Sequence, residues 1–117
     1  MQKADEDQRC RSEVVKCTGS NADVDDALAA GEVDLVAGTG WLFAREEIES
    51  RLDDLFIDEA GQMSLANVVA VSRAARSLVL LGDPRQLEQP RKGSHADGVD
   101  VAALQHILGR NLTIPPP

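Results

Sequence analysis

The residues best able to do chemistry are adjacent carboxylates at the exit of an apolar run. In "LDDLFIDEAGQMS", Leu52–Ser64, Asp58 and Glu59 follow four residues of which three are apolar, and the small pair Ala60-Gly61 comes next. Burying charge is costly, so acids at the mouth of a buried strand require a reason. "LVLLGDPRQLEQP", Leu78–Pro90, repeats the design, with an apolar run and then Gly82, Asp83 and Gln86 at its exit. A solvated acidic pair that simply marks a turn would account for the first stretch alone. The second strand, ending in Gly-Asp-x-x-Gln, weighs against it. So does Ala60-Gly61, which is small enough to let a ligand or another backbone approach.

Phosphoryl transfer gives each of these residues a task. An Asp at the end of a buried strand holds Mg²⁺ indirectly, through its water shell. A second carboxylate beside it accepts a proton from an attacking water. An amide on the adjacent strand, Gln86, can reach a γ-phosphate, donating to phosphate or accepting from water.

The elements that must position these groups follow from periodicity and punctuation. Residues 1–11 are expected to be disordered or a frayed start, and Ser12–Thr18 a short strand. Asn21 or Asp23 is suited to N-cap the helix "ADVDDALAAG", with Gly31 as its C′ residue. Val33–Gly38 is a short β-branched run, and apolar residues at 41, 42, 44, 48 and 52 predict a helix over Trp41–Leu52. Asp54–Ile57 is the next strand. Ser64 then caps a helix through "SLANVVAVSRAARS", with Leu65, Val68, Val69 and Ala75 on one side. Leu78–Gly82 is a third apolar strand, and Asp100–Gly109 a last short helix. Strands apolar throughout need cover on both faces, which predicts an α/β, doubly wound class: a parallel sheet flanked by helices. The span from Leu55 through the helix to Leu81 has the length of a βαβ crossover. Ligands of such sheets bind beyond the C-terminal strand ends, where "DEAGQ", "GDPRQ" and "GTGW" all fall.

Composition sets outer limits. At 117 residues the chain suits one small domain or a piece of a larger one, and 3% aromatic content leaves the core to Val, Leu, Ile and Ala. A net charge of −8 argues against a generally basic nucleic-acid surface. A local one remains, because "PRQLEQPRK" groups Arg85, Arg91 and Lys92. Cys10 and Cys17 are too few for a disulfide scaffold, and C-x6-C is not a usual zinc spacing, so reduced thiols are expected. With no apolar run of membrane-spanning length and no signal segment, the chain reads as soluble and cytoplasmic. "GTGW" lacks the third glycine of a dinucleotide fingerprint, since Phe43 stands there. His95 and His106 are joined by no Cys or acid pattern that completes a metal site.

Taken together, "FIDEAGQMS" and "LVLLGDPRQLEQP" resemble motifs II and III of superfamily 1 helicases, and "VDLVAGTGWLF" is similar to the preceding motif, which touches the nucleic-acid strand. The form most resembles the helicase half of bacterial RecB-like nuclease–helicase fusions, relatives of the Upf type. The resemblance covers roughly residues 12–109 and implies the middle part of a first RecA-like motor domain, a partial P-loop NTPase domain, with 110–117 a Pro-rich, truncated end. It makes Asp58 the Mg²⁺ acid, Glu59 the catalytic base and Gln86 the γ-phosphate sensor. Gln62, Asp83 and Arg85 would support the ATP site, and Thr39, Trp41 and Arg91 the nucleic-acid track, where an aromatic can stack on a base. Single-stranded nucleic acid, DNA rather than RNA, is the implied partner, with no membrane. The pattern departs from the family in two respects: no G-x-x-x-x-G-K-[ST] occurs among these residues, and nothing in them resembles the second motor domain. The phosphate loop and second domain are therefore expected from outside this stretch, which alone should not hydrolyse ATP. The rival reading is a non-enzymatic RecA-like remnant acting as an interaction module.

Overall fold

The computed structural model describes residues 1–83 and 103–108. It is a small mixed α/β domain built on two parallel strand pairs. In chain order the elements are β1 (Gln2–Lys3), β2 (Cys17–Thr18), α1 (Asn21–Ala29), α2 (Gly40–Phe43), β3 (Leu52–Ile57), α3 (Leu65–Ser72), β4 (Ala75–Leu80) and α4 (Ala103–Leu108). Single 3₁₀ turns occupy Glu6–Gln8, Glu46–Ile48 and Ala60–Gln62.

The expected crossover is present. β3, α3 and β4 form a βαβ unit in which β3 pairs parallel with β4, in the register Leu55 opposite Leu78 and Ile57 opposite Leu80. α3 starts where its sequence says: the Ser64 hydroxyl accepts from the Asn67 N–H at 3.2 Å. This satisfies one of the amides that a helix start leaves without an intrahelical partner. The core lies between this unit and the segments before it, with Leu55, Ile57, Val68, Val71, Ala74, Leu42, Phe43 and Ile48 buried together. On α3 the buried pair is Val68 and Val71, whereas Val69 is 58% exposed and Ala75 already belongs to β4. The helix ends earlier than its apolar pattern suggests, so the inward stripe shifts from the predicted one.

Five further expectations are corrected. The start of the chain is paired rather than frayed, since β1 lies parallel to β2 and the Lys3 N–H donates to Ala37 O at 2.8 Å. The predicted strand Ser12–Thr18 contracts to Cys17–Thr18, and Val33–Gly38 makes only a single bridge, Gln2 to Ala37. The helix predicted over Trp41–Leu52 breaks after one turn. Arg45 Nε donates to Leu42 O at 3.3 Å while its guanidinium grips both carboxylate oxygens of Asp25, at 2.6 and 3.1 Å. Asp25 thereby holds the Arg45 pKa above its ordinary value, mainly through that hydrogen bond. The backbone at Arg45 is extended, Ile48 is buried from a 3₁₀ turn, and Ser50 turns the chain at φ 58° into β3. Finally, the cap of α1 is Ser20, whose Oγ accepts from Asp23 N–H. Asp23 instead receives the Thr18 hydroxyl at 2.6 Å, and Gly31 follows the helix at φ +67°, as its C′ role requires.

Among the described residues the two sheet faces are covered unequally. Leu55 and Ile57 are buried, but Phe56, pointing the other way, is 62% exposed. Among the described residues no helix is long and apolar enough to cross a membrane.

Candidate functional site

Parallel pairing brings the exits of β3 and β4 to the same end of the sheet, and there they meet backbone to backbone. The pairing continues past both strands: Leu81 N–H donates to Ile57 O, and Ala60 N–H to Leu81 O, each at 2.8 Å. A Cβ on Gly82 would stand 2.8 Å from Gly61 N and 3.0 Å from Ala60 N, and one on Gly61 would press on Asp83 O. The small residues of "EAG" and "LGD" therefore answer to each other. What approaches Ala60-Gly61 is the neighbouring strand's own exit.

That contact decides where the acids go. Ala60 is fully buried against the sheet end, so the chain must turn sharply before it. It does so at Glu59, which sits in the left-handed region at φ 55°, ψ 36°. Non-glycine residues occupy that region at a cost of roughly 1–2 kcal/mol. The turn directs both carboxylates to the surface: Asp58 and Glu59 are exposed, so no charge is buried. One Asp58 oxygen accepts from the Glu59 N–H at 2.9 Å and braces the turn.

A cleft of about 180 Å³ opens beside Asp58, lined by Gly38, Gly40, Phe43 and Met63 together with residues of β3. The "GTG" stretch and the acid of "DEAG" thus face one space. A second cleft of about 340 Å³ shares Gly40, Met63 and Val71 with it and continues to Thr39, Trp41, Asn67 and Ala70. Trp41 forms its outer wall and is 86% exposed, so it is not a core aromatic. Thr39 precedes α2 with its side chain making no cap hydrogen bond.

Of the residues singled out from sequence, Asp58, Glu59, Gln62 and Asp83 therefore gather at the joined strand exits, and Thr39 and Trp41 line the adjoining cleft. Arg85, Gln86 and Arg91 lie outside the described residues, as does His95. Gln62 closes the turn after the acids, its N–H donating to Glu59 O at 3.0 Å. Sequence reasoning missed Met63, which lines both clefts and whose carbonyl accepts from the first amide of α4, Ala103. Its position directly after "DEAGQ" was the available signal.

The donor set at Asp58 has a definite chemistry. Among the described residues no group of three or more His, Cys, Asp or Glu could enclose a metal ion. Mg²⁺ does not need such a group, because it keeps several waters and binds through one or two carboxylates plus substrate phosphates. Asp58, exposed and with one oxygen committed to the turn, fits that mode. Comparison of the chain with protein-family models, curated proteins and solved structures found no match.

Proposed function

We propose that this chain carries the carboxylate half of a nucleoside-triphosphate-hydrolysing site in an ATP-driven superfamily 1 helicase or translocase, on a RecA-like motor domain. The observation that carries the reading is the joined exit of β3 and β4. It sets an exposed Asp-Glu pair, Gly82-Asp83 and the "GTG" segment around one end of a parallel pair, the end at which such sheets bind ligands.

In this reading Asp58 holds Mg²⁺, which bridges and neutralises phosphate oxygens when bound. Glu59 accepts the proton of the attacking water, and its left-handed backbone aims the carboxylate away from the strand and into solvent. Gln62 and Asp83 support the nucleotide, and Gln86 and Arg85 follow on the chain just after Asp83. The cleft walled by Thr39 and Trp41 takes single-stranded nucleic acid, DNA in preference to RNA, and Arg91 adds a phosphate contact. The two clefts share Gly40, Met63 and Val71. The phosphate-cradling loop and second motor domain are supplied from outside these 117 residues.

Two measurements test this. The isolated chain should bind ATP more weakly than about 1 mM, without stimulation by single-stranded nucleic acid, because it has no phosphate cradle. Micromolar Mg²⁺-dependent binding would overturn the division of the site between segments. In the motor that supplies the cradle, Glu59→Gln should lower turnover by roughly 10²–10⁴ while ATP still binds. Wild-type turnover in that variant would make the acids turn residues, and the exposed Phe56 face would then favour the interaction-module reading.

A further inference from the structure

The two cysteines, Cys10 and Cys17, are brought together by one side chain. Gln2 Oε1 accepts from the Cys10 N–H at 2.6 Å and from the Cys17 thiol at 3.6 Å. The same thiol lies 3.4 Å from Cys10 O. A carbonyl oxygen is about 2.4 Å from its own Cα by standard bond geometry, so Cys17 Sγ is within about 6 Å of the Cys10 Cα. A disulfide needs the two sulfurs about 2.05 Å apart, so closing it requires the Cys10 side chain to swing onto that thiol with a small movement of the loop. Cys10 is exposed and Cys17 half-buried, and both thiols are free. The intervening residues include an exposed Val14 and no regular element, so the backbone there can follow a small closing movement.

We propose that Cys10 and Cys17 form a reversible, oxidation-sensitive latch, closed by exchange with a small-molecule disulfide. The exposed Cys10 thiolate attacks one sulfur of the reagent, expels one thiol and becomes a mixed disulfide. The Cys17 thiolate then attacks the Cys10 sulfur and expels the second thiol. Two electrons pass from the protein thiols to the reagent's sulfur–sulfur bond, the two thiol protons leave on the two released thiols, and one bond, Cys10 Sγ–Cys17 Sγ, has formed.

The latch has a route to the rest of the molecule. Cys17 pairs with Gln2 across β1–β2, Ala4 N–H donates to Thr18 O at 3.0 Å, and Lys3 N–H donates to Ala37 O. Ala37 precedes Gly38 and Thr39, which line the two clefts. Closing residues 10–17 shortens the free connection between β1 and β2 and so lowers the entropy lost when they pair; the oxidised chain therefore holds β1, and through it the 37–39 segment, more firmly.

The test is to incubate the full chain with oxidised glutathione and read intact mass, peptide map and amide exchange. The expected product has lost two hydrogens, carries no glutathione and yields a Cys10–Cys17 cross-linked peptide. The amides of Lys3 and Ala4 should then exchange at least about tenfold more slowly than in the reduced chain. Cys17→Ser should retain one glutathione on Cys10, and dithiothreitol should restore the reduced mass. Glutathione kept on both cysteines, a disulfide-linked dimer, or two unreacted thiols would each overturn the latch.

Discussion

Gly82→Ala is the most direct test of the backbone contact that organises the site. Gly82 does not occupy the left-handed region, so alanine meets no conformational penalty there and the cost is steric. Its Cβ would stand 2.8 Å from Gly61 N and 3.0 Å from Ala60 N, where ordinary contacts begin at about 3.4 Å. The neighbours are backbone atoms held by the Ala60–Leu81 and Leu81–Ile57 hydrogen bonds. Relief therefore means moving one strand exit by about half an ångström, at the expense of those bonds. Overpacking of this kind costs about 1–3 kcal/mol, and each weakened hydrogen bond about 0.5–1.5 kcal/mol. We expect a loss of roughly 2–4 kcal/mol, a large share of a small domain's stability. Gly40→Ala is the control, because its Cβ would find only Met63 Cε at 3.7 Å and Val71 Cγ1 at 3.8 Å. It opens α2, so that substitution should be neutral or stabilising by up to about 1 kcal/mol. The assay is urea unfolding followed by far-ultraviolet circular dichroism, since Trp41 is too exposed to report on the core. The midpoint of Gly82→Ala should fall by roughly 1–2 M with little change of slope. A midpoint within experimental error of wild type would mean that the strand exits do not touch.

The other expectations are brief. Glu59→Gly should raise stability by about 0.5–1 kcal/mol by relieving the left-handed backbone, while removing the proposed base; a loss of stability in the same urea assay would contradict the strain. Asp25→Asn should cost about 1–2 kcal/mol, because it breaks a bidentate, half-buried pair that ties α1 to the turn after α2, and a midpoint shift near zero would assign that join to packing alone. Ser64→Ala should cost about 1 kcal/mol through the lost cap of α3, with Ser64→Asp close to wild type as the check. Asp58→Asn in the complete motor should weaken Mg²⁺-nucleotide binding as well as rate, measured by Mg²⁺ titration of nucleotide affinity; unchanged affinity would remove Asp58 from the metal.

Sequence legibility followed the range of the interactions involved. The β3–α3–β4 unit was readable because its signals are local: two apolar runs, a Ser cap and a helix of the right length between them. The helix predicted over Trp41–Leu52 was not, because what breaks it is distant. Its apolar spacing is correct for a helix, yet Arg45 is drawn to Asp25, twenty positions away, and the backbone follows. Periodicity carries no information about such a pairing. The pairing of β1 was hidden for a similar reason, as two residues of strand are too short for any pattern. It is fixed by hydrogen bonds to Lys16, Thr18 and Ala37. At the site, the residue types were legible and the reason for their spacing only half so. Small residues after the acids indicated a close approach, but only the register of β3 against β4 reveals that the approaching group is Gly82.

That register explains why carboxylates stand at the end of a buried strand without being buried. β3 needs apolar residues up to Ile57 because one face is in the core, and Ala60 must be small because the exit of β4 lies against it. Between these fixed points the chain has two residues in which to reverse, and the reversal at Glu59 throws both side chains outward. A polar pair is the natural occupant of such exposed positions, so polarity alone would leave the bland explanation standing. Glutamate in the left-handed region is different: glycine would fit that backbone better, and Asn or Asp is the usual non-glycine choice. The proposed reading would account for a glutamate at this backbone position by work done by its side chain. In that proposal the work is the acceptance of a proton from water beside the cleft that Asp58 lines. The comparison that separates strain from chemistry is Glu59→Gly against Glu59→Gln: the first should stabilise the fold and the second should not, while both lower turnover in the complete motor by roughly 10²–10⁴.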